Sequence, residues 1–196
     1  MRLLLASTAL SFGLAGAASA QDLSFGAGIS APLGPFVEGA VAFDGGFALR
    51  AVGYVPFDVG VGSFDVGSGY QIDPTVSLGA AALLADYYPF GQGFRLSGGI
   101  FVGREEVASG TFVGPQNFNG ALQLDDPITP MLGIGYRYDF ANGVYLSGDL
   151  GAIFTGVTAT TNSTNAAVIA DLADINASLD DLPVIPYVSI GIGFSF

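Results

Sequence analysis

The chain contains no cysteine and no histidine, and its five basic residues are all arginine. Without cysteine there are no disulfide staples and no thiolate metal sites. Without histidine there is no Ser-His nucleophile pair of the kind used in acyl hydrolysis, and no imidazole ligand for a metal. Only a carboxylate-based site remains conceivable, and no motif supports one, so no catalytic residue, metal or cofactor is expected. Charged residues make up only 11% of the chain, and 17 acidic residues oppose the five arginines. A chain this acidic, with no lysine, is a poor partner for nucleic acid, and its field attracts cations and repels anions. Long apolar runs are also scarce. Beyond the first 20 residues there is no stretch of about 18 apolar residues, which excludes a helical membrane span.

Hydrophobic residues nevertheless reach 51% of the sequence, glycine numbers 30, and the mean hydropathy is +0.57. Apolar content this high, dispersed rather than blocked, is the property of a barrel that wears its apolar side chains outside. The last ten residues carry the pattern most clearly. Val188, Ile190, Ile192, Phe194 and Phe196 share one parity, while Tyr187, Ser189, Gly191, Gly193 and Ser195 share the other. Strict alternation over ten residues predicts a strand with one oily face and one small or polar face, long enough to span a membrane at a tilt. The pattern of Ser189, Gly191, Phe194 and a final Phe196 resembles the C-terminal insertion signal of bacterial outer-membrane barrels. At the other end, Met1 to Ala20 has Arg2, an apolar run, and Ala18, Ser19 and Ala20. This reads as a cleaved secretory signal peptide rather than an anchor helix, with the barrel domain occupying 21–196.

Eight strands are predicted: Leu23–Ser30, Phe36–Phe43, Phe47–Val55, Pro74–Tyr88, Phe94–Val107, Leu124–Phe140, Val144–Thr158 and Val184–Phe196. Short turns at Asp44–Gly46, Pro89–Gly93 and Ala141–Gly143 alternate with longer polar connections at Pro56–Tyr70, Glu105–Gln123 and Thr160–Pro183, as periplasmic turns alternate with extracellular loops. An even count closes the sheet and removes its edges. The fold class is therefore all-β, an eight-stranded antiparallel up-and-down transmembrane barrel. A soluble lipocalin-like barrel would reverse the pattern, and the Gly, Ser, Arg and Asp of the polar parity are too small or too charged to coat it. The segment Val76–Asp86 is apolar on both parities and predicts a bulge or a misread face. Phe43, Phe47, Tyr87, Tyr88, Phe90, Phe94, Tyr138, Phe140 and Tyr145 cluster near the short turns and predict a periplasmic aromatic girdle.

Asn165 to Leu182 departs from alternation. Val168, Leu172, Ile175, Leu179 and Leu182 recur at steps of three and four, which predicts an amphipathic helix of about four turns in the last extracellular loop. Thr164 or Asn165 is placed to cap it and Pro183 to end it. The helix either packs on the barrel rim or forms a lid over the mouth.

The chemistry-bearing residues fall into two groups. Glu38, Arg50, Asp86, Arg95, Arg137 and Asp149 read as inward-facing, and an eight-stranded lumen is just wide enough for side chains to fill. Charges enclosed there must pair. Asp86 with Arg95, and Arg137 with Asp149, flank short turns and suggest cross-strand bridges. This network either plugs the barrel or lines a narrow path. Among the loop acids, Glu105 and Glu106 opposite Asp125 and Asp126 form the densest cluster, a candidate cation-attracting vestibule.

From Phe36 onward the chain resembles small outer-membrane barrels of the ornithine-uptake, carbapenem-susceptibility porin type. The segments carrying the resemblance are Phe47–Ala51 (FALRA), Leu83–Phe90 (LLADYYPF), Phe94–Gly99 (FRLSGG), Leu146–Gly151 (LSGDLG) and Pro186–Gly191 (PYVSIG). Small barrels similar to outer membrane protein W form the broader set. The resemblance implies an eight-stranded barrel and, in some members, passage of basic amino acids. The leading expectation is a passive narrow channel for small cationic or zwitterionic solutes in the bacterial outer membrane. The alternative is a non-conducting structural or surface-interaction barrel. Expected partners are outer-membrane lipid and lipopolysaccharide, the barrel-assembly machinery during insertion, and small cationic solutes; nucleic acid is not expected, and the protein is expected to be monomeric.

Overall fold

A computed structural model describes residues 22–67, 70–91, 93–114, 117–181 and 183–196. The expected leader Met1–Ala20, and with it Gln21, lies outside the described residues. The strands are β1 (Asp22–Ala31), β2 (Gly34–Phe43), β3 (Phe47–Gly60), β4 (Phe64–Gly67), β5 (Tyr70–Tyr87), β6 (Phe94–Gly103), β7 (Glu106–Val113), β8 (Phe118–Leu124), β9 (Ile128–Asp139), β10 (Val144–Ile153), β11 (Val157–Thr161) and β12 (Ile185–Ser195). A single helix among the described residues, α1 (Ala166–Leu179), precedes β12.

Eight of these strands form a closed antiparallel ring in chain order, β1-β2-β3-β5-β6-β9-β10-β12. The first and last strands seal it, with Ser24 opposite Ser195 and Ala31 opposite Val188. No edge is left in the ring, so every ring strand has a neighbour on both sides. The alternation seen in the sequence sets which face goes where. Leu23, Phe25 and Ile29 of β1, Leu96 and Ile100 of β6, Leu132 and Ile134 of β9, Leu146 and Leu150 of β10, and Val188, Ile190 and Ile192 of β12 are exposed. Glu38, Arg50, Asp86, Arg95 and Asp149 are buried. A barrel with its apolar side chains outside and its charges inside is the inverse of a soluble protein, and the outer face is a membrane-facing belt.

Aromatic pairs mark the turn end of that belt: Phe47 stacks on Tyr87 at 4.8 Å, and Phe90 with Phe94 and Tyr138 with Phe140 meet at 6.0 and 4.9 Å. Phe25, Phe194 and Phe196 add to the girdle. Tyr145 does not belong to it, contrary to the expectation. It sits on the inward parity of β10 and is only 1% exposed.

The long connections carry more strand than the sequence suggested. Glu105–Gln123, expected as a polar loop, is largely the β7–β8 hairpin, and β11 pairs β8 at its edge. The strands expected as Phe94–Val107, Leu124–Phe140 and Val144–Thr158 end or begin several residues closer to the membrane, at Gly103, Ile128 and Ile153. β3 and β5 run past the ring, and β5 exchanges its neighbour from β6 to β7 as it leaves. A sheet of β5, β7, β8 and β11 therefore continues beyond the ring. The irregularity expected around Val76–Asp86 is present as a β3–β5 bulge between Tyr54 and Phe57. Pro56, which has no amide to donate, lies in the bulge, and Gly79 opposite it takes φ +135, a backbone conformation that favours glycine.

Helix α1 is shorter than expected, ending at Leu179 with Asp180 as its C-cap rather than running to Pro183; Leu182 lies outside the described residues. Asn165 is the N-cap, its side chain accepting from the Ala167 amide at 2.9 Å.

Candidate functional site

The lumen is filled in layers. At the turn end, Arg137 donates to Asp139 at 2.7 and 2.9 Å and to Ser24 and Ser195, and its guanidinium lies 3.9 Å from the centroid of the Tyr145 ring. The Tyr145 hydroxyl donates to Glu38 at 2.9 Å and so links this group to the layer above.

That next layer is ionic. Arg50 donates to Asp86 through Nε at 2.8 Å and Nη2 at 3.1 Å, to Glu38 at 3.2 Å and to Asp149 at 3.4 Å. Arg95 holds Asp149 with a two-pronged pair at 2.9 and 2.8 Å. Ser97 and Ser189 complete the carboxylates of Asp86 and Asp149 at 2.6 and 3.2 Å. The planar guanidinium forks suit this bidentate work, which a lysine could not copy. All five charged side chains are almost wholly shielded, and each has a partner of opposite charge. Pairing is what makes enclosure of so many charges tolerable.

The expected bridges are therefore re-partnered. Asp86 pairs with Arg50 rather than Arg95, and Asp149 pairs with Arg95 and Arg50 rather than Arg137. The ladder registers explain this. Asp86 lies opposite Ser97, two residues from Arg95, and Arg137 lies opposite Ser147, two residues from Asp149. Arg95 and Asp149 share a row through Gly135 of β9, which is opposite both. A Cβ at Gly135 would overlap the Asp149 carboxylate and lie 2.9 Å from Arg95 Nε. The missing side chain is the gap through which the two charges meet.

Above the ionic layer is an apolar one that the sequence reading did not single out. Phe36, Val52, Tyr54, Ala82, Leu84, Phe101, Leu124, Met131, Ile153 and Tyr187 form one buried cluster, with Met131 and Ile153 at 1% and 0% exposure. Its signal was present: Phe101 and Tyr187 are bulky residues on the otherwise small or polar parity of β6 and β12. Bulky residues recurring at one level of the inward face are what a plug requires.

The proposed vestibule lies outside these layers. Glu105, Glu106, Asp125 and Asp126 are all exposed. Backbone pairing brings their segments together, with Leu124 N donating to Glu105 O at 2.8 Å and Glu106 opposite Gln123. The Asp125 carboxylate is engaged by Thr158 at 2.6 Å. No group of three or more acidic residues among the described residues is arranged to hold a metal ion. Arg104, on the rim, pairs with Asp58 at 3.3 Å in solvent. Of the C-terminal signal residues, Ser189 and Gly191 lie on the lumen side of β12, and Phe194 of β12 and Phe196 just after it lie in the girdle.

No family model matches the chain, and no curated protein matches it. Solved structures do match it. The chain is similar to CarO of Acinetobacter baumannii, a carbapenem-associated outer membrane protein, with a TM-score of 0.64 and 20% identity over 88% of this chain and 97% of that one. It is also similar to CarO2 of the same organism, with a TM-score of 0.62 and 17% identity over 89% of this chain and 98% of that one. The fold is thus that of a small outer-membrane β-barrel, agreeing with the exposed apolar belt.

Proposed function

We propose that the protein is an outer-membrane barrel closed to free diffusion, which acts through the structure it holds above the membrane rather than through an open pore. The observation that carries this reading is the double closure of the lumen. Arg50 and Arg95 bind Glu38, Asp86 and Asp149 in one shielded layer, and the apolar cluster of Met131, Ile153 and Tyr187 lies over it. A hydrated solute would have to break several charge-assisted hydrogen bonds and displace packed side chains together. Liposome swelling with arginine, ornithine and glycine tests it: no swelling above empty liposomes is expected, and rapid swelling with any of them overturns the reading.

A second reading keeps a narrow passage for small cationic or zwitterionic solutes, in which the lumen rearranges to open. The exposed acids at Glu105, Glu106, Asp125 and Asp126 favour it, because they concentrate cations at the mouth. Swelling that depends on those four residues is its signature. Under either reading Met1–Ala20 is removed on export, and Ser189, Gly191, Phe194 and Phe196 present the last strand to the barrel-assembly machinery.

A further inference from the structure

We propose that the cleft between α1 and the sheet beyond the ring is a binding site for a small aromatic or otherwise apolar molecule that is neutral or carries an amine. The proposal builds on the closed-lumen reading, which makes the cleft blind.

The cleft has a volume of about 640 Å³, within the range of ligand pockets. Phe112, stacked on Phe118 at 4.5 Å, and Tyr70, edge-on to Phe118 at 5.5 Å, make an aromatic wall. Ile72 of β5 and Val168, Leu172 and Ile175 of α1 complete an apolar lining. The two sides do not close on each other. No residue of α1 is buried, and Ile175 is 49% exposed although it lines the cleft. An amphipathic helix left standing off an apolar sheet leaves both faces hydrated, and a ligand that fills the space removes both from water.

The helix is nevertheless held in place. Asn176 accepts from the Ala159 amide at 2.8 Å and donates to the Ala159 carbonyl at 3.0 Å. Its side chain thereby pairs with the otherwise open edge of β11 as a neighbouring strand would. Leu124 of β8 belongs to the apolar layer of the lumen and Val157 of β11 packs against it, so two of the strands that line the cleft continue down to the closed part of the barrel.

Charge selects the ligand class. Asp171 is the charged residue of the lining, with Ser109, Thr160, Thr161 and Asn165 as neutral polar groups. No arginine lines the cleft: Arg50, Arg95 and Arg137 are committed in the barrel, and Arg104 is paired with Asp58. A carboxylate or phosphate would find no counter-charge, while an amine would find Asp171.

The test uses the full mature chain in lipid nanodiscs, with isoleucine methyl groups labelled for NMR. The probes are 1-naphthylmethylamine and 1-naphthylacetate, which share a ring and differ in charge. The amine is expected to shift Ile72 and Ile175 saturably, and to bind at least tenfold more tightly than the acetate. Leu172→Gln should weaken the amine at least fivefold, and Asp171→Asn should narrow the difference between probes. Gel heat-modifiability should stay unchanged in both variants, since α1 contributes no buried residue. Lipid-facing Ile100 and Ile190 report partition into the bilayer. Shifts there equal to those at Ile72, no saturable shift at all, or unchanged binding in Leu172→Gln overturn the proposal. Binding in a barrel that swells liposomes retains the cleft while removing the closed-lumen reading. Absence of binding in a barrel that does not swell them removes the cleft alone.

Discussion

Replacing Asp149 by alanine is the sharpest perturbation of the lumen, because Asp149 is the only carboxylate among the described residues that Arg95 holds. Arg95 makes a two-pronged pair with it at 2.9 and 2.8 Å, and its remaining contact is the Tyr88 hydroxyl at 3.5 Å. In Asp149→Ala a guanidinium that is 1% exposed loses its counter-charge, and arginine cannot shed its proton. Breaking a buried pair from one side costs about 3–5 kcal/mol. At ~2–4 °C per kcal/mol for a chain of this size, the melting temperature should fall by about 6–20 °C. Arg95→Ala should cost less, about 1.5–3 kcal/mol for charged hydrogen bonds lost. Asp149 still keeps Arg50 at 3.4 Å and Ser189 at 3.2 Å. The double variant Asp149→Leu/Arg95→Met should recover most of the loss, since an apolar replacement of a whole buried pair is often neutral. Urea midpoints in lipid vesicles, with gel heat-modifiability against temperature, measure all three. An Asp149→Ala barrel within about 1 kcal/mol of the wild type, well outside the expected 3–5, would refute the reasoning.

Gly135→Ala should resemble Asp149→Ala in kind, losing about 1–3 kcal/mol by forcing Arg95 and Asp149 apart. Gly148→Ala on the adjacent strand, where the nearest atom to an added Cβ is Ser189 O at 3.5 Å, should be tolerated in the same melting assay. Asn176→Ala should free α1 from β11, so that limited proteolysis cuts within 162–184 faster while the barrel's melting temperature stays unchanged. Phe196→Ala removes edge contacts with Phe25 and Phe194 and should slow assembly into bilayers, measured by the rate at which the heat-modifiable band appears.

Much of the barrel was legible because a lipid-facing strand has to alternate. β12, β10 and β9 could be read residue by residue, since any polar side chain on the outward parity would face hydrocarbon. The extramembrane strands gave no such signal. β7 and β8 stand in water, where Ser109, Gly110 and Thr111 or Asn119 and Gly120 are acceptable on either face, and their alternation fades. The inward charges were legible individually as charges on a small-residue parity. Their partners were not, because Arg95 reaches Asp149 across an intervening strand, and only the three-strand register with Gly135 between them reveals the row. The apolar layer was hidden for a related reason. Phe36, Phe101, Met131 and Ile153 come from different strands, and each looks like an isolated exception until closure of the ring puts them at one level.

The most direct test of the closed lumen is planar-bilayer recording of the refolded barrel, with reversal potentials under a salt gradient. The account predicts a barrel that is folded by heat-modifiability and electrically silent. Discrete cation-selective steps from the wild-type barrel, diminished when Asp125 and Asp126 are neutralised, would contradict it and establish the narrow passage instead.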